Sequence, residues 1–199
     1  MGRMRVYNKI IVSLASTLFI ISCASTSITS FKEPTFTGKT FQRMLVAVAI
    51  TDIGERTLVE QTISTQLAKY GVTGIPSLTF ILPTRTYTAD EVDKLLIDNN
   101  IDSVLILELT GKDVVTGIAS FPSQRLNVFE HRWETVSNVY SYRKPRAYYS
   151  LKLYDVTTDK LVWVASTRTG GNAYARFSTL VDSLADTVIT KMQEDGLLE

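Results

Sequence analysis

Met44-Leu45-Val46-Ala47-Val48-Ala49-Ile50 is an unbroken apolar run, and Thr51-Asp52-Ile53-Gly54-Glu55 follows it directly. Such a run suits a central strand covered on both faces. Asp52 with Glu55 three residues later is a helix-start signature, and Gly71 is a suitable stop. Between them Val59, Ile63, Leu67 and Tyr70 recur at helical spacing, with Leu58 and Ala68 widening the stripe. The stretch reads strand, turn, helix.

The unit then repeats. Leu78 to Leu82 suggests a short strand closed by Pro83. Thr88 and Glu91 form a capping box, with Val92, Leu95 and Leu96 as the apolar face behind it and Asn99-Asn100 as the end. Ser103 to Thr110 is a third strand around Val104-Leu105-Ile106-Leu107. Strand, helix, strand, helix, strand in this order implies crossovers and a parallel sheet.

The second half changes period. Asp113 to Ser120 is predicted to run back from the third strand through a turn at Gly111-Lys112. Ala147 to Val156 and Leu161 to Thr169 both alternate, and Thr157-Thr158-Asp159-Lys160 joins them as a hairpin turn. Gly170-Gly171-Asn172 opens the last helix, whose stripe is Ala173, Phe177, Val181, Leu184, Val188 and Met192, with Leu180 and Ile189 beside it and Gly196 as the end. The expected fold is α/β with a mixed sheet. A βαβαβ parallel half is followed by antiparallel strands and a C-terminal helix, with three helices flanking the sheet.

Phe121 to Arg146 resists assignment, apart from Val136 to Tyr142 as a candidate strand. It interleaves aromatic and basic side chains, the usual anchors of protein interfaces. Arg132, Trp133, Tyr140 and Tyr142 are the candidate partner-binding residues. Another hairpin with a decorated loop, holding Trp133 for packing, explains the stretch without a partner.

The amino terminus speaks to location. Arg3, Arg5 and Lys9 precede a run from Ile10 to Ile21 that is apolar except for Ser13, Ser16 and Thr17. A charged start and a short apolar stretch make a secretory signal peptide over residues 1–22. About 12 apolar residues fall short of the roughly 20 that a spanning helix needs. Ile20-Ile21-Ser22-Cys23 resembles a bacterial lipobox. That resemblance implies a diacylglycerol on the Cys23 sulfur, cleavage just before it and an acylated amino terminus, palmitate being a typical chain. Cys23 is the only cysteine, so it has no disulfide partner within the molecule. Ala24 follows it, which by the enterobacterial sorting pattern favours the outer membrane, with the domain facing the periplasm. Residues 23–42, rich in Ser and Thr, read as the lipidated cysteine and a flexible tether, and residues 43–199 as a single periplasmic domain.

From Cys23 onward 18 Lys and Arg face 20 Asp and Glu, a net charge of −2 with His131 neutral. Nucleic-acid binding calls for a basic domain, and this is not one. Catalysis finds little to use. His131 is the only histidine and sits between Glu130 and Arg132, as a solvated loop histidine does. No His, Cys and carboxylate cluster has metal-ligand spacing, and no cofactor motif is complete. Gly170-Gly171-Asn172 before a helix is compatible with an anion site and equally with a strand-to-helix turn. Glu108 interrupts the third strand, either buried with a raised pKa or at an exposed end. The expectation is a protein that is not an enzyme.

Leu45-Val46-Ala47-Val48 before a helix carrying Glu60, Asp102-Ser103-Val104-Leu105-Ile106, and the stretch from Tyr154-Asp155 through Lys160-Leu161-Val162-Trp163 are similar to a group of Gram-negative lipoproteins. That group shares a fold with the TolB N-terminal domain, the penicillin-binding-protein activator LpoB and the curli secretion lipoprotein CsgG. The resemblance spans roughly residues 43–196 and implies the fold and an envelope location, leaving activity open. It implies a non-enzymatic, membrane-anchored assembly or accessory factor that binds an envelope protein, with a CsgG-like oligomeric export component as the alternative. A cell-wall-acting enzyme using Glu108 or His131 is a remote third. Spanning hairpins need about 9–11 alternating residues per strand. Val114 to Phe121 and Val136 to Tyr142 look short for that, so no pore is expected.

Overall fold

Every second residue of Leu105, Leu107 and of Leu151, Leu153 is wholly buried, and these four leucines stand at the centre of a six-stranded sheet. The computed structural model describes residues 23–127 and 132–199. The expected signal peptide and His131 lie outside the described residues.

The strands are β1 (Ala24–Lys32), β2 (Arg43–Ala49), β3 (Thr73–Pro76), β4 (Ser103–Asn127), β5 (Arg132–Asp155) and β6 (Lys160–Gly171), in the spatial order β1-β6-β5-β4-β2-β3. The helices are α1 (Ile53–Ala68), α2 (Ala89–Asp98) and α3 (Phe177–Glu194). β2 pairs in parallel with both β3 and β4, whereas β4, β5, β6 and β1 pair antiparallel. The expected mixed α/β sheet with a C-terminal helix is therefore present.

Local chemistry accounts for the helix ends. Asp52 Oδ1 accepts from the Glu55 N–H at 2.8 Å. Thr88 and Glu91 close a complete capping box. Gly71 and Gly196 end α1 and α3 at φ 73° and 69°, a region that favours glycine.

One face of the sheet buries Met44, Val46, Val48, Leu105, Leu107, Leu151 and Leu153 against Ile63 and Leu67 of α1 and Val181, Leu184, Val188 and Met192 of α3. The residues of opposite parity, Leu45 and Val104, meet Ile75, Ile101 and Leu96 in a smaller cluster beside α2. Among the described residues no helix packs on that second face over β6 and β1.

Four expectations are corrected. Residues 24–32 are not a tether but the edge strand β1, with Thr26, Ile28 and Ser30 half-buried against α3 and Ser25, Ser27 and Thr29 outside. Ser and Thr on both faces hid its period. Phe41 is wholly buried and stacks on Phe36 at 5.5 Å, so the following segment is also held down. The second strand is Thr73–Pro76 rather than Leu78 to Leu82, where a single 3-10 turn begins at Ser77. Gly111-Lys112 makes no turn. The register slips between Leu109 and Gly111, a β-bulge, and β4 runs on. Finally, Gly170 and Gly171 end β6, and α3 starts at Phe177.

Candidate functional site: the outer half of the β4–β5 hairpin

The pairing of β2 with β4 ends at Ala49↔Glu108, and that of β6 with β5 at Gly170↔Arg146. Beyond these rungs Val114–Asn127 and Arg132–Pro145 pair only with each other, from Val114↔Pro145 to Asn127↔Arg132. At about 3.4 Å per residue the ribbon projects roughly 50 Å past the sheet. The stretch that resisted assignment is thus the outer end of one long hairpin, with strands of 25 and 24 residues. The short strands expected here are corrected accordingly.

The root is fastened to the body. The Lys112 ammonium pairs with the Glu55 carboxylate and lies 5.1 Å from the Phe177 ring centroid. Tyr148 donates its hydroxyl to Asp113 Oδ2 at 3.2 Å. The hydroxyl of Tyr149 is buried without a hydrogen-bond partner, and burial, with Glu55 adding to it, pushes its pKa up to about 12.

Further out the charge pattern changes. Residues 114–124 and 135–142 contain no Asp, Glu, Lys or Arg. Lys112, Asp113, Arg143, Lys144 and Arg146 lie on the root side of this band, and Arg125, Arg132 and Glu134 on the tip side. Within the ribbon Val114, Ile118, Val139 and Tyr140 are 55%, 74%, 65% and 57% exposed. Val114, Ile118 and Val139 share one face by register, and Tyr140 the other. The Tyr142 ring covers Gly117, where an added Cβ would stand 2.3 Å from Tyr142 Cζ. Lys144 Nζ lies 4.9 Å from the centroid of the same ring.

All four candidate partner residues fall on this ribbon, but not together. Arg132 and Trp133 pair with Asn127 and Leu126 at the far end, whereas Tyr140 and Tyr142 pair with Ala119 and Gly117. Seven residues separate Trp133 from Tyr140, about 23 Å along a strand. The structure gives a tip pair and a middle pair. What the sequence reading missed was the ribbon's length, because the register slip between Leu109 and Gly111 interrupts the alternation there.

The other candidates resolve simply. Glu108 is exposed, opposite Ser150. Glu60 is fully buried and accepts from Val48 N–H (3.2 Å), Arg56 Nε–H (2.8 Å), the Ser77 hydroxyl (2.7 Å) and Leu78 N–H (3.1 Å). Its oxygens are occupied, and it clamps α1 to the ends of β2 and β3. At the expected anion turn Asn172 N–H donates to the Cys23 carbonyl at 2.9 Å. An added Cβ on Gly171 would meet Ala175 Cβ at 2.2 Å, so close packing explains that glycine. Among the described residues no group of three or more His, Cys, Asp or Glu could hold a metal ion. No described helix is long and apolar enough to cross a membrane, which says nothing about crossing by strands.

No family model matches the chain, and no curated protein does. Among solved structures it is similar to the PelC dodecamer from Paraburkholderia phytofirmans, with 15% identity, a TM-score of 0.53, and 84% of this chain and 97% of that one covered. It is also similar to lipoprotein GNA1162 from Neisseria meningitidis, with 16% identity, a TM-score of 0.42, and 77% of this chain and 99% of that one covered. At this identity the likeness to PelC is one of fold.

Proposed function

We propose that the chain is a non-enzymatic, lipid-anchored envelope protein, an assembly or accessory factor that works through its projecting hairpin. The observation that carries this reading is the ribbon itself, fourteen residues of each strand that leave the sheet and pair only with each other. A two-stranded ribbon is marginally stable in water on its own, so a surface that covers it is expected in the envelope. The anchor is Cys23, at the outer membrane, with the domain in the periplasm. Cys23→Ser is expected to abolish fatty-acid labelling and release the protein from membranes, and labelling that persists would refute the anchor.

A photo-crosslinking phenylalanine at Tyr140 in intact cells tests the working surface. Capture of one distinct envelope protein, lost in Trp133→Ala with Arg132→Ala while the melting temperature stays put, supports the accessory reading. Loss of melting temperature with unaltered crosslinks would place these side chains in packing and end it.

A second reading has its own observation in favour. The charge-free stretches are eleven and eight residues long, close to the roughly 9–11 of a spanning strand. PelC forms a dodecamer, which supports assembly from several copies. In this reading each copy contributes one hairpin to a membrane-inserted ring. Ring particles after detergent extraction, with Tyr140 crosslinking to other copies, would support it, and a strictly monomeric protein would sink it.

A further inference from the structure

Because β1 begins at Ala24, Cys23 stands at the very edge of the sheet, level with the root of the hairpin. The rungs place Ser25, Gly170, Arg146 and Asp113 in one row and Ser27, Arg168 and Tyr148 in the next. Lys144, Arg146 and Arg168 line an open cleft of about 480 Å³ together with Cys23, Ser25 and Asn172. Its face is the one turned away from α1 and α3, since Ala147 and Thr169 of opposite parity are buried.

None of the three cations makes an ion pair with a described carboxylate. Asp113, the acid across from Arg146, instead accepts from Tyr148. The chain from Cys23 onward is net negative, with 18 basic and 20 acidic residues. Three uncompensated cations beside the anchoring cysteine run against that balance.

We infer that Lys144, Arg146 and Arg168 form a docking surface for the anionic phosphate headgroups of the bilayer in which Cys23 is anchored. The location rests on the lipidated Cys23 of the proposed function, whereas the chemistry rests on the cations. The ordering of β1 decides that they can act. A flexible tether of about 19 residues would hold the sheet some 25 Å from the surface, well beyond the Debye length of about 8–10 Å. With no slack after Cys23, Ser25 lies about 7 Å along the strand from the anchor, inside that length. The domain sits flush on the membrane, and the charge-free band of the hairpin starts from the same level. Each basic residue near an anionic surface strengthens binding roughly fivefold, so three together contribute on the order of 100-fold.

The test uses the lipidated chain in phosphatidylethanolamine vesicles containing phosphatidylglycerol. An environment-sensitive probe is placed on a cysteine at Ser27 or, at the opposite end of the sheet, at Thr157. A nitroxide on the lipid headgroup is expected to quench the Ser27 probe strongly and the Thr157 probe little. Quenching at Ser27 should fall at least by half in about 1 M salt, in uncharged phosphatidylcholine vesicles, and in Lys144→Glu with Arg146→Glu and Arg168→Glu. The salt and lipid arms need no charge reversal, so they stand if the triple variant fails to fold. Quenching at Ser27 that ignores salt and lipid charge, or equal quenching at both ends, would overturn the inference. The mass of the amino-terminal peptide reports the acyl group separately. If it is missing, salt-dependent flotation of the unlipidated chain on the anionic vesicles, weakened by the triple variant, supports the surface, and no flotation overturns it.

Discussion

The inner and outer halves of the β4–β5 hairpin are built from the same antiparallel ladder and differ only in what lies against them. In the inner half Leu105, Leu107, Leu151 and Leu153 are covered by α1 and α3 and have no contact with water. In the outer half Ile118 and Val139, on equally regular backbone, are largely exposed. Backbone hydrogen bonds do not distinguish the two, so burial does. Full burial contributes about 1.5–3 kcal/mol for each such aliphatic side chain, and the outer half collects little of it. One half of the hairpin is held by the core, and the other leaves its apolar side chains exposed.

The largest expected effect lies on the helix that covers the inner half. Val181→Asp puts an unpaired charge at a 1% exposed position and should cost about 3–5 kcal/mol. A variant melting within a degree or two of the wild type would show that α3 is not packed on the sheet. Glu60→Ala comes next. It leaves the Val48 and Leu78 N–H groups and the Arg56 guanidinium without their acceptor, for about 3 kcal/mol by urea unfolding. A loss below about 1 kcal/mol would mean that water replaces the carboxylate.

Acid sensitivity also belongs to the body. Burial pushes Asp155 up, but hydrogen bonds from Lys39, Thr158 and the Thr157 N–H outweigh it and hold the carboxyl below its ordinary value. Asp195 is lowered in the same way, burial being outweighed by Trp163, Ser30 and Lys191. A carboxylate with a depressed folded pKa contributes stability above its unfolded pKa of about 3.9 and loses it as pH falls through the lower folded value. Asp155→Asn should therefore be less stable than wild type at pH 7, and the gap should close as pH falls below about 3.9. A gap that is constant with pH would remove the Lys39 pair as its cause.

The smallest effect marks the outer half. Ile118→Asn and Val139→Asn should each change the stability of the purified protein by less than about 0.5 kcal/mol, as exposed substitutions do. The same changes should weaken whatever covers the ribbon in cells. A loss of 2 kcal/mol in the isolated protein would show that the ribbon is already packed.

The same contrast governs what could be read from the sequence. Elements that face a core on one side carry their period openly: the alternation of Leu151 and Leu153, the stripe from Phe177 to Met192, and the caps at Asp52 and Thr88 all fall where expected. The mixed sheet followed from them. β1 was hidden because Ser and Thr occupy both its faces, so half-burial left no hydrophobic period. The outer ribbon was hidden because neither face meets the core, and because the bulge at Gly111 resembled a turn. Arg132, Trp133, Tyr140 and Tyr142 all fall on this ribbon, and its extended geometry spaces them into two pairs.

Amide hydrogen exchange, compared between the purified protein in solution and the lipidated protein in vesicles or membranes, tests the central contrast most directly. Amides of Leu105, Leu107, Leu151 and Leu153 should exchange slowly in both conditions. Those of Val114, Ile118, Val139 and Tyr140 should exchange fast in solution and become protected in the envelope environment. Outer-half amides that are as slow in solution as the inner ones, or that stay fast in membranes containing every partner, would contradict the account.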